Sequence, residues 1–380
     1  MKAHLIVVGP VPPPIHGESI AISQLIHSKA ILEKYDVEVI DTGRGKNIRG
    51  GRFSIIKLCQ DIRNFLVIAH KIKKSHDAIV YLSLSQTKLG LLRDVMVIRL
   101  VRNRAGKVIA HLHGNHLKMI MMTINPWMAK IVSNALRKID SGIVLSQALS
   151  SNFMNLPRKI DVVSNGIDQD MFSSLIIKHA RIKRRAAKTF HILYLSNLIQ
   201  SKGFGDVILT AIELLKKKED IKLTLAGQIY DCHLFNQLFR KVTEYGFESK
   251  ITYIGIATGV EKKKILLEAH VMVLPTQYPI EGQPISIIEG MAAGLPIIST
   301  AQGAIPDMID GSGIVVDQVD PEHLACAIKQ LIDNRSLYER LSEHSRSSFL
   351  KKFTLDHYID ELISVFERGI PNEQKNHICH

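Results

Sequence analysis

Short runs of β-branched and aliphatic residues alternate with longer stretches of helical character along the whole chain. In the first half the runs fall at 5–9, 37–41, 78–84, 107–113 and 142–146. In the second half they fall at 191–195, 222–227, 251–255, 271–275, 296–300 and 313–317. This alternation predicts parallel sheets covered by helices. Between the two sets lies a polar, basic stretch at 178–185 with no apolar period, which predicts an interdomain linker. The expected architecture is α/β, with two doubly wound, Rossmann-like domains at 1–177 and 186–353. Such domains take ligands at the carboxyl ends of their strands, here in a cleft between them. No repeat of solenoid length and no low-complexity tract interrupts the pattern.

Length and composition agree with this division. The chain has 380 residues, 46% of them hydrophobic, enough for two domains with large cores. No run approaches the ~18 apolar residues of a spanning helix. Residues 5–9 are short for a signal-peptide core and lead into Pro12 and Pro13 without a cleavage-like site, so a buried first strand is the better reading. Cys59, Cys232, Cys326 and Cys379 show no paired spacing, which argues against a zinc site or a disulfide framework and for a reducing cytoplasm.

Charge adds an asymmetry. Residues 1–170 carry 24 Lys/Arg against 12 Asp/Glu, the remainder 25 against 24, so nearly all of the net +13 sits in the first half. A basic half suggests an anionic partner, with nucleic acid and an acidic membrane surface as the candidates. The bases Arg44, Lys46, Arg49 and Arg52 lie among glycines, with few of the aromatics that single-stranded nucleic acid stacks on. A mobile loop over the cleft is the preferred reading there, and no nucleic-acid partner is expected. Two stretches suit a membrane surface. One is 91–104, with Arg93, Arg99, Arg102 and Arg104 on an apolar helix; the other is the Met-rich run 117–122 leading to Trp127. A packed core helix with a wet edge explains the first slightly better.

The densest chemistry lies at 281–296. Glu281 sits in a loop with Gly282, Gln283 and Pro284, and Glu289 follows eight positions later on a short apolar helix. Proline suits a helix start, and Gly294 with Pro296 suits its end. A loop feeding a helix N-terminus presents free N–H groups to a phosphate. Two flanking carboxylates can accept from hydroxyl groups, so the site suits a nucleotide-sugar, a diphosphate between two polyols. An ordinary capped helix with two incidental acids has the same spacing. Four further places are candidates. Gly17 closes a glycine-containing turn after the first strand, where a backbone can approach a phosphate or acceptor. His111 and His113 share a strand face. Lys202 stands beside Gly203 at a strand-to-helix turn, a suitable counter-charge for a diphosphate. Asp168 and Asp170 imitate an Asp-x-Asp metal motif but lie at the domain junction, so they are discounted.

The segment from Glu281 through Gln283-Pro284-Ile285 to Glu289 resembles the donor-site signature of family 4 of the retaining glycosyltransferases. The loop at Gly17, the His113-Gly114 pair, the Asn165-Gly166-Ile167-Asp168 segment and Lys202 follow the same family's order. Asn197 stands where the family usually has an arginine, and His16-Gly17 replaces a frequent Gly-Gly pair. The resemblance implies a GT-B fold with an acceptor domain first and a donor domain second. It also implies final helices, about 354–369, that cross back onto the first domain. It implies transfer of a hexosyl unit from a nucleotide-sugar, with UDP expected, to a glycan or lipid-linked acceptor in surface-polysaccharide or lipopolysaccharide synthesis. Neither metal nor cofactor is implied, and the setting would be cytoplasmic, at the inner face of the membrane. Glu281 would hold sugar hydroxyls, Glu289 the ribose, and His113 the donor hexose as a positioning group. Gly282, Gln283, Pro284 and Ile285 would face the phosphates and hexose, and Asn197 with Lys202 the leaving group. A nucleotide-sugar 2-epimerase of the same fold and a non-catalytic carbohydrate-binding relative are the alternatives.

Overall fold

A computed structural model describes residues 2–13, 16–43, 63–68, 70 and 77–368. The basic loop at 44–52 lies outside the described residues. The chain forms two compact units, Met1–Asn165 with Leu355–His380, and Gly166–Thr354. The junction thus falls at Asn165–Gly166, ahead of the expected 177, and the last helix belongs to the first unit.

The first unit is built on a parallel six-stranded sheet. Its strands are β1 (Ala3–Gly9), β2 (Tyr35–Asp41), β3 (Ile79–Ser83), β4 (Lys107–Leu112), β5 (Ser141–Val144) and β6 (Ile160–Val162), in the order β2-β1-β3-β4-β5-β6. Five of these coincide with predicted runs. The sixth was missed because it has three residues, Ile160-Asp161-Val162, none fully buried. Helices follow from local signals. Gly17–His27 begins with a capping box, in which His16 Nδ1 accepts from the Ser19 N–H and Ser19 Oγ from the His16 N–H. Lys88–Val101 starts at Thr87, whose hydroxyl accepts from the Gly90 N–H, and it buries Leu91, Val95 and Ile98 at helical spacing. The core joins Leu5, Val7 and Tyr81 of the sheet to Tyr358, Leu362 and Phe366 of the C-terminal helix Leu355–Glu367. Lys34 pairs with Glu367 at 2.6 Å, and the Tyr358 hydroxyl donates to the Ala21 carbonyl, so this helix is an integral wall of the unit.

The second unit carries β7 (Phe190–Leu195), β8 (Ile221–Ala226), β9 (Ile251–Tyr253), β10 (Val271–Leu274), β11 (Ile297–Thr300) and β12 (Gly313–Val316), all parallel. Their order is β12-β11-β10-β7-β8-β9, the doubly wound order whose reversal point lies between β7 and β10. Each strand lies within one residue of a predicted run, apart from trimmed ends.

Residues 178–185 are a correction. They form the greater part of the helix Ser174–Ala186, capped by Ser173, and not a linker. The helix buries Ile177, Ala180 and Arg184, a stripe at helical spacing in which an alanine and an arginine stand where leucines would have signalled it. Among the described residues no helix is long and apolar enough to cross a membrane.

Candidate donor site

In the second unit, the loops after β7 and β10 bring Lys202 and Glu281 together at the reversal point of the sheet. Lys202 ends the 3-10 turn Gln200–Lys202, and Gly203 follows with φ +73°. A Cβ at Gly203 would lie 2.5 Å from the Pro275 carbonyl oxygen. Glycine therefore lets the β7 loop lie flush on the β10 loop. The Lys202 ammonium sits 3.1 Å from Glu281 Oε2 and over the Tyr278 ring, 5.3 Å from its centroid. Thr276 Oγ1 donates to the same carboxylate oxygen at 3.3 Å. Glu281 is only 8% exposed, so its orientation is held by an ammonium and a hydroxyl, not by solvent. Burial, and then the charge of Glu281, raise the Tyr278 hydroxyl above its ordinary pKa and keep it neutral.

The loop continues through Gly282, buried Gln283 and Pro284 into the helix Ile285–Ala292. Pro284 is the N-cap, one position earlier than a first helical residue, and offers no side-chain acceptor. The first N–H groups of the helix thus lack the usual capping oxygen. The loop is tied from behind. The Ala304 N–H donates to the Gly282 carbonyl at 2.8 Å, and Gln302 Nε2 to the Tyr278 carbonyl at 3.0 Å. Gly303, φ +59°, makes this possible, since a Cβ there would lie 2.3 Å from the Glu281 carbonyl oxygen. Glu289, on the same helix, is 7% exposed and accepts from Lys262 Nζ at 2.7 Å. The site is therefore two carboxylates, each paired with its own lysine, on either side of an uncapped helix start.

Asn197 is exposed, and its carbonyl accepts from the buried Tyr194 hydroxyl at 3.1 Å. Lys262, Tyr278 and Thr276 are residues that sequence reasoning missed. Lys262 is hidden in the run Lys262-Lys263-Lys264, where nothing local marks one lysine as facing a buried acid. Asp168 caps the turn Gln169–Met171 by accepting from the Asp170 N–H at 2.8 Å, an ordinary structural role. Among the described residues no group of three or more His, Cys, Asp or Glu is placed to hold a metal ion.

In the first unit, the reversal point lies between β1 and β3, and the candidate residues gather at its carboxyl end. Gly17 opens the helix after β1, and Ser83, last residue of β3, donates its hydroxyl to Glu18 Oε1. His111 and His113 stack with ring centroids 3.9 Å apart. The Tyr81 hydroxyl lies 2.7 Å from His111 Nδ1 and 3.4 Å from His113 Nε2. Burial, and then the neighbouring His16, hold His113 down to about 3, while burial and His113 lower His111. Both rings are neutral at pH 7. Among the described residues His113 Nδ1 is buried without a hydrogen-bond partner, which suits a group that positions a ligand rather than one that donates a proton to it.

The family described as "Glycosyl transferases group 1" matches residues 177–348, nearly the whole of the second unit. The chain is 23% identical over 62% of its length to the MMP alpha-(1->4)-mannosyltransferase of Mycolicibacterium hassiacum, covering 55% of that protein. It is 26% identical over 56% of its length to the putative colanic acid biosynthesis glycosyltransferase WcaL of Salmonella typhimurium, covering 52% of it. Against the curated relatives it matches, the chain spans about half their length, from 42% to 67%. The crystal structure of Anabaena Alr3699/HepE with UDP and glucose superposes with a TM-score of 0.70 at 15% identity, over 96% of this chain and 99% of that one. The fold is GT-B. Both sheets of this GT-B chain and their helices are thus accounted for, and its second unit is the part that carries the group 1 glycosyltransferase match.

Proposed function

We propose that this chain is a retaining glycosyltransferase of family 4. In this reading it moves a hexosyl unit from a nucleotide-sugar, UDP-linked, to a glycan or lipid-linked acceptor in surface-polysaccharide or lipopolysaccharide synthesis. The observation that carries the reading is the Lys202–Glu281 pair, 3.1 Å apart, beside the uncapped helix start at Pro284, at the reversal point of a doubly wound sheet. The group 1 match over the same unit and the glycosyltransferase names of the relatives support it. A GT-B neighbour bound to UDP-glucose supports UDP as the nucleotide.

In this reading the diphosphate takes the Lys202 ammonium and the N–H groups after Pro284, relieving Glu281 of its counter-ion. Glu281 is then free to accept from sugar hydroxyls, and Glu289 from the ribose. The anomeric carbon–oxygen bond to the diphosphate breaks as a bond to the acceptor oxygen forms on the same face. The acceptor proton passes to the departing diphosphate. Fixed charge and helix N–H groups stabilise the leaving group without a metal, because they are oriented before the charge develops. Neutral His113 keeps the positioning role that the family resemblance implies for it.

A panel of nucleotide-sugars, scored by thermal stabilisation, donor turnover and the anomeric configuration of the product, tests the proposal. A single UDP-hexose that stabilises the protein and yields a product of unchanged anomeric configuration supports it. Inversion, strict dependence on a divalent cation, or release of a free epimerised sugar without an acceptor would refute it.

A further inference from the structure

A large cavity of the second unit lies at the wrong end of its sheet for the donor. It measures about 960 Å³ and opens at the amino ends of the strands, where Thr189 precedes β7, His191 and Lys222 are the second residues of β7 and β8, and Lys250 precedes β9. Lys202 and Glu281 stand at the carboxyl ends. The side walls are the helices Ser174–Ala186 and Gly259–Glu268.

The lining carries seven lysines and arginines against a single carboxylate, Glu268. Lys250 is held by Asp220 at 3.0 Å. Arg184 is spent on the backbone, as it donates to the carbonyls of Leu266, Leu267, Ala293 and Gly294. The other five, Lys183, Lys188, Lys222, Lys263 and Lys264, form no ion pair among the described residues. Like charges gathered round one concavity repel each other and lower the stability of the unit unless an anion joins them. Apolar side chains share the walls, with Ile176 44% and Val260 85% exposed. A hydrated cation pocket alone gives no reason for these two residues to stand in solvent.

We propose that this cavity is a second anion site, which takes phosphate-ester groups independently of the donor. A membrane phospholipid headgroup and a soluble phosphate compound share that chemistry; the exposed Ile176 and Val260 favour the lipid. The site goes beyond the donor-site reading and stands whether or not that reading holds.

The test uses the full chain, the variant Lys183→Ser/Lys263→Ser/Lys264→Ser, and Lys202→Ala as a contrast. The three lysines are exposed, so the triple variant should keep the wild-type melting temperature. Cosedimentation with phosphatidylglycerol vesicles, with phosphatidylcholine vesicles as control, reads the lipid source. Calorimetry with glycerol phosphate and inorganic phosphate reads the soluble one. With about 1 kcal/mol lost per lysine near an anionic surface, binding in the responsive arm should weaken on the order of 100-fold in the triple variant. It should be unchanged in Lys202→Ala, which probes the donor site instead. No binding in either arm, or binding that the triple variant leaves intact, would overturn the proposal.

Discussion

At the scale of single residues, the donor site is a set of charges already paired before any ligand arrives. Glu281→Gln removes the carboxylate but keeps its shape and its Thr276 contact. The loss of one preorganised electrostatic group typically costs ~10²–10³ in rate, so donor turnover should fall by that amount with the melting temperature nearly unchanged. Turnover close to wild type in the purified variant would sink the assignment. The buried histidines give a second prediction. His113 and His191 are held down to about 3 and His270 to about 4, each chiefly by burial. All are neutral when folded but take up protons near 6.5 when unfolded. Between those values the unfolded chain binds more protons, so stability is full above about 6.5 and is lost as pH falls toward the folded values. Urea midpoints should therefore drop steadily from pH 7 to pH 4.5, and a midpoint flat over that range would contradict the buried, neutral rings. Both glutamates, Lys202 and His113 were legible in the sequence through motifs of fixed order: His113 and Lys202 follow strands, Glu281 lies in a loop and Glu289 on the helix after it. Lys262 was not, because what sets it apart from Lys263 and Lys264 is the helix phase that turns it toward Glu289.

At the scale of elements, the strands were legible and one helix was not. Long apolar runs such as those around residues 79–83 and 271–274 declare buried parallel strands, whereas three-residue β6 carries too little apolar content to do so. Ser174–Ala186 was misread as a linker because its buried stripe includes Arg184. That arginine is 4% exposed and forms no ion pair with a carboxylate among the described residues, and burial lowers its pKa. Its charge is met instead by the carboxyl ends of two helices. Leu266 and Leu267 belong to Gly259–Glu268, which carries Lys262; Ala293 and Gly294 follow Ile285–Ala292, which carries Glu289. The negative ends of two helix dipoles thus do the work of a counter-ion. Arg184 fixes from behind the two helices whose side chains form the Lys262–Glu289 pair. Hydrogen bonds from charged groups contribute ~1.5–3 kcal/mol each, though not additively, so Arg184→Met should destabilise the protein by roughly 3 kcal/mol. It should also weaken UDP binding, while an exposed neighbour on the same helix, Arg185→Met, should do neither. Equal urea midpoints for the two variants would show that the helix ends do not depend on this side chain.

At the scale of the whole molecule, the uneven charge of the chain meets an uneven apolar surface in the first unit. Of the four bases proposed for membrane contact on and after the helix Lys88–Val101, two are committed elsewhere. Arg93 pairs with buried Asp94 at 2.7 Å, and Arg102 with Asp140 at 2.7 Å. The helix buries Leu91, Val95, Val97 and Ile98, so it is a core element with a wet edge, as the sequence slightly favoured. The Met-rich run differs. Leu117, Ile120 and Met121 are buried, but Met119, Met122 and Trp127 are 54%, 71% and 70% exposed. Tryptophan and methionine standing in water beside exposed Lys118 and Lys130 are the composition of an interfacial anchor. If this surface meets an anionic bilayer, apolar insertion and charge attraction should be separable. Met122→Ser/Trp127→Ser should lower binding to phosphatidylglycerol vesicles by about 100-fold or more even at high salt, because burying each large side chain contributes ~1.5–3 kcal/mol. Neutralising exposed Arg99 and Arg104 should lower it only at low salt, since screening removes their contribution beyond about 10 Å. Arg102 is left intact, because removing it would take one partner from half-buried Asp140 and confuse folding with binding. Hydrolysis of a soluble nucleotide-sugar should be the same in all these variants, as the substituted residues lie outside the donor site. Vesicle binding that ignores Trp127 and Met122, in a protein whose donor turnover is unaltered, would return this patch to ordinary exposed apolar surface.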